Sequence, residues 1–133
     1  LKSSKFGRII QIASINSFGG GLGPAYPISK AAVINLVHDL SIELGPYNVT
    51  VNAICPGPTQ TELIESVIRS RAEATGTTFK EMSEEFVKGT ALKRMVQPEE
   101  IAALVSHLSS DEGMAITGQA IDISAGYGFR IGD

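Results

Sequence analysis

The sequence holds a single cysteine, Cys55, and no tryptophan. One thiol makes no intrachain disulfide, which excludes a disulfide framework and fits a reducing compartment. No apolar run approaches the roughly 20 residues that a membrane-spanning helix needs. Basic and acidic residues are interspersed, giving a net charge of −3 with no block of either sign. That removes the electrostatic footprint expected for nucleic acid or an anionic membrane. The opening Leu1-Lys2-Ser3-Ser4-Lys5 lacks the apolar core of a secretory signal. His38 and His107 have no Cys, His or carboxylate set at ligand spacing around them, so no metal is expected. A small-molecule partner and a cytoplasmic setting are the expectations that remain.

What is present is 133 residues with 43% hydrophobic and 19% charged content, the range of one ordinary globular domain. Gly7-Arg8 opens the apolar, β-branched run Ile9-Ile10-Gln11-Ile12-Ala13, which reads as a strand buried on both faces. Residues 14 to 24 are rich in glycine, serine, asparagine and proline, including Gly19-Gly20-Gly21, and read as loop. Val33, Leu36, Val37, Leu40 and Leu44 then recur at helical spacing, predicting a helix over 25–44 with Pro27 in its first turn. Gly45-Pro46 ends it. Val49-Thr50-Val51-Asn52-Ala53-Ile54-Cys55 is a second buried strand, stopped by Pro56-Gly57-Pro58. Residues 61 to 74 and 79 to 88 read as two amphipathic helices in an insertion covering about 61–97, with their charges on a solvated face. Pro98-Glu99-Glu100 starts a helix to about 109, and 119–124 is a last strand.

The order of strand, helix, strand, insertion, helix, strand implies three parallel strands joined by right-handed crossovers, an α/β fold with helices on the sheet faces. Ligands of such sheets bind beyond the carboxyl ends of the strands, where Ser14 and Pro56-Gly57 fall. Three strands leave a sheet edge that needs a neighbour, and a polar stub leading straight into a strand reads like the end of a preceding helix.

Tyr26 and Lys30 stand four apart at a helix start, so their side chains share one face a turn apart. An ammonium there, together with the helix N-terminus, favours phenolate. A tyrosine so tuned can take a proton from an alcohol or give one to a developing alkoxide. Ser14 offers a hydroxyl to the same oxygen, with Ser17 the weaker candidate because it lies out in the loop. Such a site polarises a carbonyl, yet no side chain donates a hydride, so a nicotinamide cofactor is implied. Cys55 reads as an inert buried thiol. Gly19-Gly20-Gly21 reads as a flexible loop rather than a phosphate cradle.

A lone Tyr-x-x-x-Lys pair is a weak motif, but four blocks occur in order. They are 7–14 (GRIIQIAS), 26–32 (YPISKAA), 51–61 (VNAICPGPTQT) and 98–102 (PEEIA). With these blocks the chain resembles the short-chain dehydrogenase/reductase family along essentially its whole length. The resemblance implies the C-terminal part of a Rossmann-like doubly wound parallel sheet, with residues 1–133 as the catalytic half of an NAD(P)-binding domain. It implies Tyr26 as general acid/base, Lys30 as the group that lowers its pKa and bonds the nicotinamide ribose, and Ser14 as the group that orients the substrate oxygen. Pro56, Gly57 and the backbone near Thr59 would contact the nicotinamide, with Thr61 near its carboxamide or phosphate. The cofactor would be NAD or NADP, the substrate a small alcohol or ketone, and the assembly a homodimer or homotetramer packed through the helix over 25–44.

Three departures stand beside the resemblance. The family's glycine-rich phosphate loop, its cofactor-selecting residue and its relay asparagine would precede Leu1. The tail reads Ile123-Ser124-Ala125-Gly126-Tyr127 where relatives often have Asp-Gly-Gly, and proline directly follows Tyr26. Two other readings remain: a non-catalytic fragment or oligomerisation module, and a nucleotide-sugar epimerase or dehydratase. The latter relatives carry a much longer C-terminal substrate domain than the insertion at 61–97.

Overall fold

A computed structural model of the chain describes residues 6–19 and 23–128. Strand β1 (Gly7–Ile12) is followed by helix α1 (Ala25–Leu44), strand β2 (Val49–Pro56), helices α2 (Glu62–Thr75), α3 (Phe79–Val87) and α4 (Pro98–Ser109), and strand β3 (Ala120–Ile123). The strands form one parallel sheet in the order β1-β2-β3. Gly7 pairs with Val49 through to Ile12 with Ile54, and Ala53 pairs with Ala120 through to Pro56 with Ile123.

The central strand explains the hydrophobic pattern. Every residue of β2 from Val49 to Cys55 is buried, as a continuous β-branched run requires when both faces are covered. Strand β1 departs from the expectation of two-face burial. Among the described residues it is paired on one side only, its residues are mostly half-buried, and Ile12 is 47% exposed. Apolar content alone does not distinguish an edge strand from a central one. Gly7 allows the close start of this pairing, because a Cβ there would lie 2.6 Å from Val49 Cγ2.

Helix α1 has the bounds read from its apolar spacing. Val33, Ile34, Val37, Leu40 and Leu44 pack on Ala13, Val49, Val51, Ala53 and Cys55. Ile28, Leu36 and Ile42 point away from this core and are exposed. The chain leaves through a 3-10 turn, Gly45–Tyr47, and a left-handed Asn48. Part of the expected loop over 14–24 is regular: Ile15–Phe18 is a 3-10 turn capped by Ser14. Gly19 belongs to the described chain, while Gly20 and Gly21 lie outside the described residues.

The insertion is two capped helices. Thr61 Oγ1 accepts from the Ile64 N–H at 3.3 Å, and α2 ends on left-handed Gly76. Thr78 and Glu81 form a reciprocal capping box at the start of α3. The two ends of the insertion are joined by a parallel bridge between Thr59 and Val96. Helix α4 packs against β1 with Leu108 fully buried. The tail closes without Asp-Gly-Gly: Tyr127 N–H donates to Ser124 O and Oγ, and Ala125 takes the left-handed conformation at φ 53.

Candidate active site

Strand β1 delivers Ser14 to the carboxyl end of the sheet. Ser14 itself is extended and only 6% exposed, and it caps the turn Ile15–Phe18. Its Oγ accepts from the Asn16 N–H at 3.1 Å, while the Ser14 N–H donates to Ser17 Oγ at 3.3 Å. The first of these bonds uses the Ser14 hydroxyl oxygen as an acceptor and leaves its proton to be donated. Ser17, the second serine candidate, is thus engaged in holding the Ser14 backbone.

Tyr26 and Lys30 occupy the first two turns of α1, with Pro27 at a first-turn position whose missing N–H costs no helical bond. Lys30 Nζ lies 5.9 Å from the Tyr26 ring centroid and donates to Ile12 O at 2.9 Å. That bond ties the helix start to the end of β1, two residues before Ser14. An ammonium has three protons to give, so further donors remain on Lys30. The Tyr26 side chain is 40% exposed, and its hydroxyl has no hydrogen-bond partner among the described residues. The turn that follows Ser14 packs against α1, so the serine and the Tyr-Lys pair belong to the same end of the sheet.

Strand β2 delivers Pro56 and Gly57 to that end as well. Gly57 N–H donates to Ile123 O at 3.0 Å, and a Cβ on Gly57 would lie 2.7 Å from Ser124 Cα, so only glycine fits this crossing. Thr59 Oγ1 turns back to donate to Gly57 O at 2.9 Å. In the bridge that follows, Val96 N–H donates to Pro58 O and Val96 O accepts from Gln60 N–H. Both bonds bypass Thr59, whose own N–H and C=O have no partner among the described residues. One donor beside one acceptor is the complement of a primary carboxamide, the group a nicotinamide carries. Thr61 is exposed and its hydroxyl caps α2, so its oxygen is already an acceptor for backbone.

A further group was not signalled by the motif blocks. Asn16, Phe18, Asp122 and Tyr127 line a cleft beside the turn that Ser14 caps. Burial, and next the Asp122 carboxylate, push the Cys55 thiol up to about 11, against a lowering contribution from the Ser14 N–H. Asp122 is an exposed residue of β3, and partial desolvation raises its carboxyl from its ordinary value. The available signal was a charge inside the otherwise apolar strand Ala120-Ile121-Asp122-Ile123.

Known proteins match the chain along nearly its whole length. The family profile described as enoyl-(acyl carrier protein) reductase covers residues 1–128. Acetoacetyl-CoA reductase of Shinella zoogloeoides is 34% identical over 97% of this chain and 50% of that protein. A short chain dehydrogenase family protein from Francisella tularensis superposes with a TM-score of 0.86 at 35% identity, covering 90% of this chain and 50% of that one. L-sorbose reductase of Gluconobacter frateurii, solved with NADPH and L-sorbose, superposes at 0.88 with 26% identity, over 95% and 49% of the two chains. The chain thus spans about half the length of the relatives it matches. Sheet order, motif blocks and relatives agree that this chain belongs to the short-chain dehydrogenase/reductase family.

Proposed function

We propose that the chain carries the acid-base half of an NAD- or NADP-dependent oxidoreductase that interconverts an alcohol and a ketone. Tyr26 is the general acid/base, with Ser14 and Lys30 beside it. The observation that carries this reading is the arrival of Ser14, Tyr26, Lys30 and the unengaged Thr59 backbone at one end of a parallel sheet. The nicotinamide supplies the hydride that no side chain can.

The residues of this chain handle position and the proton. Ser14 donates its hydroxyl proton to the substrate oxygen while its oxygen is held by the Asn16 N–H. Tyr26 gives its phenolic proton to that oxygen in reduction and takes one from the alcohol in oxidation. Lys30, fixed by Ile12 O, keeps positive charge next to the phenol and directs its other protons toward ribose hydroxyls. Pro56 and Gly57 would line the nicotinamide site, and Thr59 would hold the carboxamide through its main-chain N–H and C=O, with Thr61 starting α2 close by.

The substrate is a small hydroxy or keto compound, in keeping with the names of the relatives. The protein works in the cytoplasm as a homo-oligomer, and the outward Ile28, Leu36 and Ile42 of α1 supply apolar surface for the contact.

Replacing Tyr26 with phenylalanine in the full-length enzyme tests the assignment. Loss of a positioned acid/base lowers kcat by about 10²- to 10⁴-fold while the nicotinamide still binds, as read by quenching of its fluorescence. Turnover retained within a factor of three would refute Tyr26 as the acid/base and favour a non-catalytic role.

A further inference from the structure

The cleft beside the Ser14 turn has a volume of about 350 Å³ and is lined by Ile15, Asn16, Phe18 and Gly19 on one wall and Asp122, Tyr127 and Gly128 on the other. That is the lower end of the range for small-ligand pockets. No motif block of the family resemblance includes Asp122 or Tyr127.

Three features define what could fill it. Asp122 lines the cleft from β3 as an exposed residue whose carboxylate has no hydrogen bond or ion pair among the described residues and is partly desolvated. An ionised carboxylate can only accept, so its complement is a ligand that donates. Phe18 and Tyr127 are both exposed at the cleft and present aromatic faces. Asn16, held by its backbone bond to Ser14 Oγ, places a side-chain amide that both donates and accepts. Hydroxyl groups on a carbon chain meet all of these demands, since each hydroxyl gives and takes a hydrogen bond while the C–H faces lie on aromatic rings. An acyl chain offers nothing to Asp122 and would leave the carboxylate desolvated and unpaired. An anionic group would be repelled.

We propose that this cleft is a subsite for the hydroxylated end of a polyol or ketose, with Asp122 as its specificity-determining residue. The inference rests on the proposed oxidoreductase reading, because the same turn presents Ser14 to the reacting oxygen. Asp122 acts on which substrate is accepted and takes no part in proton transfer.

The test measures kcat/KM of the full-length enzyme for L-sorbose, D-fructose and D-tagatose against acetoacetyl-CoA, in the parent and in Asp122→Asn and Asp122→Leu. The parent turns over at least one of the ketoses. Both substitutions lower the ratio of ketose to acetoacetyl-CoA kcat/KM at least tenfold, chiefly through the ketose KM. Asparagine nearly matches aspartate in shape, and its thermal midpoint shows whether the variant is folded. No turnover of any ketose by an enzyme that reduces acetoacetyl-CoA would overturn the inference, as would a ratio unchanged within twofold in both variants. Tyr26→Phe separates the two ideas. If that variant is inactive and the Asp122 ratio does not move, the subsite is wrong and the catalytic reading stands; if that variant keeps full turnover, the catalytic reading itself fails.

Discussion

Ser14 does two jobs with one hydroxyl: it caps a turn through its oxygen and keeps its proton for another partner. Directly behind it lies Cys55, fully buried and pushed up to about 11. An unfolded thiol titrates near 8.5, so at neutral pH the folded and unfolded chains both hold Cys55 neutral. Above about 8.5 the unfolded chain loses the proton first, and the stability that depends on a neutral thiol falls as pH rises from there toward the folded value. Urea midpoints should therefore decline between pH 8 and 10 in the parent more than in Cys55→Ala. Iodoacetamide at pH 8 should label the native protein at least tenfold more slowly than the unfolded one, and equal rates would contradict the burial. At this scale the sequence was informative where a residue sits in a motif block. The burial of Cys55 was legible from the apolar run around it. The cleft lined by Asn16 and Asp122 was not, because it forms where two loops and a strand converge, and no local spacing encodes that.

Elements were more legible than their ends. The 3.6-residue spacing gave α1 its bounds, and proline with two glutamates marked the start of α4. The starts of β2 and α3 and the end of α4 also fell where expected, and the other ends moved by no more than two residues. Thr61 proved to be the cap of α2 rather than its first residue, and Pro56 still accepts a place in β2 because its missing N–H is not needed at the strand end. The parallel partner of Thr59 lies far along the chain at Val96, beyond any periodicity argument. Asn52 shows how a strand can carry a polar residue inward. It is 1% exposed, donates to Ile116 O at 2.7 Å and accepts from Gln119 N–H at 3.1 Å, so β2 is stitched to the segment entering β3. Asn52→Ala removes this partner from the part-buried Ile116 C=O and Gln119 N–H, at up to about 1–3 kcal/mol each. Urea denaturation should show a loss of about 2–4 kcal/mol, and a loss below about 0.5 kcal/mol would mean that water replaces the side chain.

For the molecule as a whole, the parallel α/β architecture followed from element order alone, while the exposure of β1 became visible only once the strands were laid side by side. One edge of that strand carries backbone groups with no strand beside them among the described residues, and Phe6 and Ile12 are exposed along it. Such an edge templates pairing with another chain. The 133-residue chain prepared by itself should therefore sediment as concentration-dependent associated species at pH 7.5, and a single monomeric boundary from micromolar to hundreds of micromolar would argue against an adhesive edge.

The Thr59–Val96 bridge brings the start and finish of the 60–96 excursion into adjacent positions. The stretch between those two posts is also anchored from within, because Leu92 N–H donates to Ala125 O just after β3 and Ile68, Ala72 and Thr90 are buried. A foreign cassette grafted between the posts would therefore have to keep these inner anchors for the strand ends beneath it to hold their places.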